Sequence, residues 1–472
     1  MPLLDDLRAL LGAAHVLTGK DAAPYARDWM GHYRGSPLAV VRPASTAEVA
    51  AVVRAAGTAG VPLVPISGNT GLVGGTMTTG GLMVSLERLN RIREIRPASR
   101  LVIAEAGVIV QAIHEAVAAE GLYFPLWFGA RGSARLGGVL STNAGGSNVL
   151  RYGSTRALCL GLEVVLADGR VLNLMSELYK DNSGYDLKQL FIGAEGTLGI
   201  ITAAVMRLVP QPLAHATAMV SAARLADTLP LLNRMQEATG GRVEAFEFMP
   251  ANYMRRLAEV RPDLGQPFEP IPEVSILIEA ATTVPAEAEP GPDGTVPLVG
   301  ALERVLGGML EEGLITDAQV ARSEAQRMRM WERREAAAEI CLGFEPVVEA
   351  DVSLPLERVE DFLRIAAGRL GANDPGFDDV AVAHLGDGNV HYSIRLGRDD
   401  PALADAQLEI VEDVVQELRG SFSAEHGIGL MKLPAMRRHK DPVALDLMRV
   451  VKAALDPRGL MNPGKVIPPA QP

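Results

Sequence analysis

Apolar and polar residues alternate along the first 212 residues in short blocks that predict both strands and helices. Apolar runs at 37–41, 63–65 and 161–169 predict strands, and the last of these ends in an Asp-Gly turn. Ser45 lies three residues before Glu48, which is the spacing of a capping box, so we expect a helix at 49–60. Glycine-rich segments separate these elements.

The pattern changes after Pro212. Strands near 215–221, 243–248 and 274–280 alternate with helices near 224–238 and 250–260, which is typical of an antiparallel sheet with helices on one face. Further along we expect a long charged helix at 317–340, a strand at 347–353 and helices at 403–417 and 441–455. The sequence therefore predicts an α+β protein with four segments, at 1–35, 36–212, 213–420 and 421–472.

A predicted hairpin at 381–394 carries two histidines. If Asp387 and Gly388 form a two-residue turn, His384 pairs with His391, and their Cβ atoms lie roughly 5 Å apart on one face of the sheet. Both imidazoles could then reach one metal ion, with the downstream Glu425 as a third ligand. Two histidines and one carboxylate leave coordination positions open, as in catalytic sites. The alternative is a hairpin with two ordinary histidines.

Two glycine-rich regions suggest a site for a flat, phosphate-bearing ligand. The loop at 67–75 exposes successive backbone N–H groups, which can cradle a pyrophosphate without a basic residue. A plain turn is the alternative, and the loop is not the G-x-G-x-x-G dinucleotide fingerprint. The small residues at 129–133, 136–138 and 141–146 would form a closely packed wall beside such a ligand.

Composition narrows the function classes. The chain has 472 residues and a net charge of −12, with no basic stripe, which argues against a nucleic acid partner. Cys159 and Cys341 lie in apolar surroundings and are predicted to be buried free thiols. No apolar stretch reaches the length of a membrane span, and the first residues lack a signal-peptide pattern. We expect a cytoplasmic protein and leave peripheral attachment to the inner membrane open.

The segments at 67–75, 142–146 and 180–201 resemble the flavin-binding domain of the vanillyl-alcohol oxidase / p-cresol methylhydroxylase superfamily. With the histidine hairpin and the Glu425-His426 pair, the chain from about 36 to 465 resembles the D-2-hydroxyglutarate and D-lactate dehydrogenase branch. The resemblance implies a two-subdomain FAD-binding domain at 36–212, after an N-terminal segment at 1–35. It also implies a substrate and metal domain with an antiparallel sheet at 213–420, and a helical C-terminal segment at 421–472 that returns to the flavin.

The resemblance also implies which residues contact FAD, here bound non-covalently because no residue matches a covalent anchor. The expected contacts are Pro65, Ser67, Gly68, Asn69, Thr70, Gly71, Leu72, Gly132, Ser133, Gly137, Thr142, Asn143, Ala144, Gly145, Gly146, Glu195, Gly199, Ile200 and Asn462.

The activity that the resemblance implies is oxidation of a D-2-hydroxy acid to the 2-oxo acid, with hydride transfer to flavin N5. Electrons would pass to an electron-transfer flavoprotein, a quinone or another acceptor. A divalent ion, Zn²⁺ first and Mn²⁺ or Fe²⁺ as alternatives, would act as Lewis acid and template. His426 would be the general base. The alternatives are that His426 binds the metal, or that it contacts a metal ligand without binding the metal itself. Arg334 would bind the substrate carboxylate, its alternative being a surface charge.

Three expected substrate residues depart from the branch. Ala338, Glu349 and Ser393 stand where hydroxyglutarate dehydrogenases carry threonine, lysine and asparagine. Glu349 would repel a distal carboxylate, so we expect a preference for D-2-hydroxy acids that lack one. A D-2-hydroxyglutarate dehydrogenase proper, an oxidase using oxygen and a flavin-binding subunit without catalysis are the alternatives. A homodimer is left open.

Overall fold

The computed structural model describes residues 2–469. Met1 and residues 470–472, at the ends of the predicted first and last segments, lie outside the described residues. The chain forms two compact units. The first unit contains Met1–Gly145, Gly153–Pro210 and Glu425–Pro472, and the second contains Gly146–Tyr152 and Gln211–Ala424. Among residues 2–469, no helix is both long and apolar enough to cross a bilayer.

The strands, in chain order, are β1 Val16–Leu17, β2 Ala39–Val41, β3 Leu63–Ile66, β4 Leu82–Ser85, β5 Ile92–Arg96, β6 Leu101–Glu105, β7 Leu122–Tyr123, β8 Cys159–Val165, β9 Val171–Leu174, β10 Ile200–Arg207, β11 Val209–Pro210, β12 Ala214–Ala222, β13 Val243–Pro250, β14 Val274–Thr282, β15 Asp317–Val320, β16 Val347–Ser353, β17 Asp378–His384 and β18 Asn389–Arg395.

The helices, in chain order, are α1 Pro2–Leu11, α2 Thr46–Ala59, α3 Val110–Ala118, α4 Leu136–Thr142, α5 Val149–Tyr152, α6 Thr155–Leu158, α7 Lys188–Phe191, α8 Thr228–Thr239, α9 Ala251–Val260, α10 Pro285–Ala288, α11 Pro297–Glu311, α12 Glu324–Glu335, α13 Ala337–Leu342, α14 Val359–Asn373, α15 Pro401–Glu417, α16 Leu433–His439 and α17 Pro442–Leu455.

The first unit contains three sheets, of four, five and two strands, and the smallest is the antiparallel pair of β7 and β11. In the four-stranded sheet β1-β2-β4-β3, strands β2, β4 and β3 are parallel, and the loop at 67–75 starts where β3 ends. The predicted capping box before α2 is present, because Ser45 Oγ accepts from Glu48 N at 3.2 Å and Glu48 Oε2 accepts from Ala44 N at 2.7 Å. The five-stranded sheet β5-β6-β10-β8-β9 is antiparallel.

The second unit is built on one antiparallel sheet of seven strands, in the order β15-β12-β14-β13-β17-β18-β16. The strands predicted near 215–221, 243–248 and 274–280 are confirmed as β12, β13 and β14. Helices cover both faces, so the prediction of helices on one face is wrong. β14 is buried along its whole length, and a strand that is buried on both sides needs cover on both sides.

The two faces have different cores. Phe246 and Phe248 of β13 point into a core formed with α8, α11, α14 and α15. Ala245 and Met249, from the intervening positions, join the core formed with α9, α12 and α13. We call this second face the α9/α12/α13 face. Strand alternation also places Glu247 on it.

The predicted long helix at 317–340 is also wrong. Its first residues form strand β15, which pairs with β12 at the sheet edge. Helix α12 begins only after Ser323, whose Oγ accepts from Gln326 N at 3.3 Å and so caps the first turn. Ala336, with ψ of −1°, separates α12 from α13. Arg334 and Ala338 therefore lie on two successive helices.

Candidate active site

In the first unit, the residues expected to bind FAD form a cradle of backbone and small side chains. The loop after β3 packs against the segment before α4, since a Cβ on Gly68 would lie 2.5 Å from Ser133 O. A Cβ on Gly71 or Gly132 would meet no atom within 4 Å. Ser67 Oγ is buried and has no hydrogen-bond partner among the described residues. A buried orphan hydroxyl beside open glycine backbone suits a phosphate-bearing ligand.

Asn462 connects the C-terminal segment to this cradle. Its side-chain nitrogen donates to Gly75 O at 3.0 Å and to Glu195 O at 2.7 Å. Its side-chain oxygen is buried and, within residues 2–469, has no partner. Pro65 lies beneath the same region, because a Cβ on Gly196 would lie 2.3 Å from Pro65 Cγ. The residues at 65–72, 132–137, 195–200 and 462 thus meet within one unit, and their donor set fits FAD.

Not every expected FAD contact is directed at a ligand. Asn143 has a positive φ of 53°, and its side-chain oxygen accepts from Ser154 Oγ and Arg156 N, so it closes a turn. Thr142 Oγ1 donates to Gly138 O at 3.2 Å, inside α4. Gly199 and Ile200 enter strand β10. Gly146 belongs to the second unit, apart from the neighbouring Ala144 and Gly145.

Glu195 holds the segment that follows His426. Its carboxylate accepts from Ile428 N at 2.7 Å and Gly429 N at 2.9 Å. Burial raises the pKa of Glu195, and these two amides oppose that shift. A Cβ on Gly427 would lie 2.7 Å from Glu195 Oε1, so the close approach requires glycine. Glu195 therefore holds the backbone two and three residues beyond His426.

In the second unit, the hairpin forms with a register that differs from the prediction. His384 pairs with Asn389, and His391 pairs with Val382, because the turn has four residues rather than two. Asp387 N donates to His384 O at 3.2 Å within this turn. The pairing is offset by two residues, an even number, so both histidines remain on the same face. Their ring centroids lie 5.3 Å apart, with ring nitrogens within 4.8 Å of each other.

Each histidine directs Nδ1 towards a buried carboxylate. Glu247 Oε2 lies 2.8 Å from His384 Nδ1, and Asp351 Oδ1 lies 3.6 Å from His391 Nδ1. Burial alone would raise the pKa of Glu247, but His384 and Arg334 lower it below its usual value, so Glu247 is ionised. A neutral His384 that donates from Nδ1 to this carboxylate carries its lone pair on Nε2, a nitrogen that histidines commonly use to bind metals.

Arg334 lies on the same face. Its Nε donates to Glu247 Oε2 at 2.8 Å, and the arginine side chain is 9% exposed. Its Nη2 is buried and has no acceptor among the described residues. A buried guanidinium nitrogen without an acceptor is costly, and one aimed at a ligand site is the group that an incoming carboxylate would satisfy.

Three of the residues expected to bind the substrate, Arg334, Glu349 and Ser393, interact with Cys341. Ser393 Oγ donates to Glu349 Oε1 at 3.2 Å, and the paired strands β16 and β18 set these two residues opposite each other. Burial raises the pKa of Cys341 to about 12; Glu349 acts in the same direction, whereas Arg334 and Ser393 oppose it. Glu349, Arg334 and Ser393 thus all influence the pKa of one thiol. Ala338 is exposed on α13.

Glu425 and His426 are both half-buried and begin the last segment of the first unit. The preceding residue, Ala424, donates its backbone N–H to Asp351 O at 3.3 Å, and Ser421 pairs with Ser353. The chain therefore leaves the second unit beside β16, the strand that pairs with His391.

Three residues near the site were missed by the sequence argument: Glu247, Asp351 as a histidine partner, and Cys341. A signal for Glu247 was present, because it is a carboxylate in a strand whose other residues are mostly apolar. A buried carboxylate requires a cationic or hydrogen-bonding partner, so its position predicts an ion pair. Cys341, read as an ordinary buried thiol, is confirmed as buried and free, as is Cys159.

Comparison with known proteins agrees with this organisation. Residues 37–175 match the FAD binding domain family, and residues 211–466 match the family of FAD linked oxidases, C-terminal domain. The chain is 38% identical over 469 residues to the mitochondrial D-2-hydroxyglutarate dehydrogenase of Bos taurus, covering 98% of this chain and 84% of the relative. It is 34% identical to the D-2-hydroxyglutarate dehydrogenase of Stutzerimonas stutzeri (strain A1501), covering 98% of both chains.

The fold is also that of a solved flavoprotein. The structure of p-cresol methylhydroxylase with substrate bound matches with a TM-score of 0.77 at 18% identity, covering 98% of this chain and 96% of that one. The fold and the FAD cradle define a flavin-dependent oxidoreductase. The chain belongs to the FAD-linked oxidase family and, within it, to the branch of FAD-dependent D-2-hydroxy acid dehydrogenases. The resemblance stated from the sequence is confirmed.

Proposed function

We propose that this enzyme oxidises a D-2-hydroxy acid without a distal carboxylate to the 2-oxo acid, using FAD and a divalent metal. The observation that carries the proposal is the buried, unsatisfied Nη2 of Arg334 on the sheet face that also bears His384 and His391. A guanidinium that can donate to a carboxylate lies on one face with two histidines that could bind a metal. This combination suits a small anionic substrate with a hydroxyl group.

FAD would be held without a covalent bond by the cradle at 65–72, 132–137 and 195–200, with Asn462. Its phosphates would accept from Ser67 Oγ and the glycine-rich backbone. When bound, FAD supplies the acceptor of the substrate hydride. The electrons would leave to a protein or quinone acceptor.

The metal would be held by His384 and His391 through Nε2 and by Glu425. When bound, a divalent ion supplies a Lewis acid that lowers the pKa of the substrate hydroxyl. Glu425 follows Ala424, whose backbone N–H donates to Asp351 O on β16. His426, the next residue, would take the hydroxyl proton as general base. Glu195 would keep His426 oriented through the amides that follow it.

Substrate preference would follow from the charges around Arg334. Glu247 already balances the charge of Arg334, so the pair carries no net charge. The guanidinium would therefore attract a substrate mainly through its hydrogen-bond donors. Glu349 adds a negative charge beside Ser393 and Cys341. A distal carboxylate would meet this charge without a compensating lysine. An aliphatic, aromatic or hydroxyl-bearing tail would fit better.

D-2-hydroxyglutarate is the competing substrate, because both reported relatives are named for it. The test is anaerobic bleaching of the flavin in the purified holoenzyme by D-lactate, D-2-hydroxybutyrate, D-malate and D-2-hydroxyglutarate. We expect the two monocarboxylates to bleach the flavin faster. Faster bleaching by the two dicarboxylates would replace our substrate proposal with hydroxyglutarate dehydrogenase. Failure of all D-2-hydroxy acids to bleach a fully loaded flavin would refute the proposed reaction.

A further inference from the structure

One buried carboxylate contacts both an expected substrate residue and an expected metal ligand. Glu247 lies in the middle of β13 with a side chain that is 1% exposed. Its Oε2 is 2.8 Å from Arg334 Nε and 2.8 Å from His384 Nδ1, and its Oε1 is 2.9 Å from the same histidine nitrogen. Its backbone position is fixed from both sides, by pairing with Leu277 of β14 and with His384 of β17.

The geometry requires Glu247 to act on both partners at once. As the acceptor of a hydrogen bond from His384 Nδ1, its carboxylate favours the tautomer protonated on Nδ1 and holds the plane of the ring. The same oxygen takes the Nε of Arg334, which leaves the terminal nitrogens of the guanidinium for an acceptor other than Glu247. Loss of this carboxylate would release the ring of His384 and the fork of Arg334 together.

We infer that Glu247 is a positioning residue, which orients a metal-binding histidine and a substrate-binding arginine through one buried carboxylate. This inference rests on the proposed function and deepens it. It predicts that metal affinity and substrate affinity share one determinant, although Glu247 itself would touch neither the metal nor the substrate.

The chain offers a matched control in Glu279 of β14. Glu279 is also buried on the α9/α12/α13 face and is also paired with an arginine, since Arg327 Nε and Nη2 each lie 2.7 Å from its carboxylate. Thr217 and Trp331 also donate to it. Because His215, Glu244 and Glu279 could hold a metal of their own, Zn²⁺ affinity is read for the site that His384→Ala removes. No contact with His384 or His391 is described for it. Glu279→Gln therefore removes a buried, arginine-paired carboxylate from the same face without touching the histidine pair.

The experiment compares wild type, Glu247→Gln and Glu279→Gln as FAD-loaded enzymes. Zn²⁺ affinity is measured by competition with a chromophoric chelator, FAD content by absorbance, and KM and kcat with D-lactate. For Glu247→Gln we expect unchanged FAD content, a Zn²⁺ affinity lower by about 10–100-fold and a raised KM. For Glu279→Gln we expect a Zn²⁺ affinity within about twofold of wild type, the spread that we allow for the assay.

The outcomes separate the inference from the proposed function. If wild type binds Zn²⁺ and loses it on His384→Ala, yet Glu247→Gln binds Zn²⁺ as wild type does, the inference is wrong and the metal site stands. If wild type binds no divalent metal, or His384→Ala leaves binding unchanged, the metal part of the proposed function fails first. If Glu247→Gln loses its FAD, the Zn²⁺ affinity of Glu247→Asp is measured instead and decides the question. Its charge is retained but its shorter side chain cannot reach both partners, so wild-type affinity would overturn the inference.

Discussion

Replacing Glu349 tests whether charge selects the substrate. Glu349 is half-buried on β16, and its carboxylate accepts from Ser393 Oγ at 3.2 Å. Glu349→Gln removes the charge at nearly constant shape, and Glu349→Lys reverses it. Both variants should raise kcat/KM for D-2-hydroxyglutarate and D-malate relative to D-lactate, with the lysine variant showing the larger change.

The size of the effect follows from the distance between like charges. At an effective dielectric of about 20, two unit charges roughly 4 Å apart repel by about 4 kcal/mol, and at roughly 6 Å by just under 3 kcal/mol. Since every 1.4 kcal/mol is tenfold, Glu349→Gln should shift the ratio by about 10²–10³-fold. Arg334 does not cancel this repulsion, because Glu247 already balances its charge. Glu349→Lys adds an attraction and should shift the ratio further.

The assay is steady-state reduction of an artificial dye acceptor with the four acids as substrates, at fixed FAD loading and ionic strength. Glu345→Gln is the control, because Glu345 is exposed and four residues away along the chain entering β16. Glu345 lies outside strand β16, and because its side chain is exposed, water and salt screen its charge. A wild-type preference for the dicarboxylates, or an unchanged ratio in Glu349→Gln, would refute the charge argument.

Three further predictions follow from the site. His426→Ala should lower kcat by about 10²–10⁴-fold if the imidazole is the general base; a raised KM at unchanged kcat would make it a binding residue. Chelation of the metal should abolish turnover and leave FAD bound, as should His384→Ala; full turnover in a preparation shown to be metal-free would contradict this. Burial raises the pKa of Cys159 and of Cys341 to about 12, so a thiol reagent at pH 8 should label neither until the protein unfolds.

The hairpin shows how far a local pattern predicts geometry. Asp-Gly between two β-prone runs correctly predicts a hairpin, and period two correctly predicts that His384 and His391 share a face. The register was wrong because Asp-Gly also fits a four-residue turn, whose selection depends on contacts outside the hairpin. A Cβ on Gly388 would lie 2.1 Å from Leu354 O, so the turn packs against the chain that follows β16. That contact is not visible in the sequence.

Long-range pairing explains the other differences. The apolar periodicity of residues 317–320 continues into the next segment and predicts a helix. These residues form a strand instead, because the backbone of β12 at the sheet edge offers hydrogen-bond partners. The capping serine at 323 then starts the helix several residues later than periodicity predicts. The glycine-rich loops of the FAD cradle were easier to predict from the sequence than strand β15 or helix α12. Their composition already excludes packed elements, and the residues that close them lie mostly in the same unit.

The α9/α12/α13 face shows how charged groups can be buried in a core. Buried charges are costly unless each is paired, and here Arg327 pairs with Glu279, Arg334 with Glu247, and Asn389 donates to Asp351. This pairing offsets part of the cost of burying the charges, and apolar residues on the same face supply the packing. One described guanidinium nitrogen on this face, Arg334 Nη2, is left without an acceptor. The ion pair with Glu247 already fixes the side chain of Arg334. If Arg334 binds the substrate carboxylate, as proposed, that carboxylate would meet a preorganised donor, and little entropy would be lost in ordering the arginine.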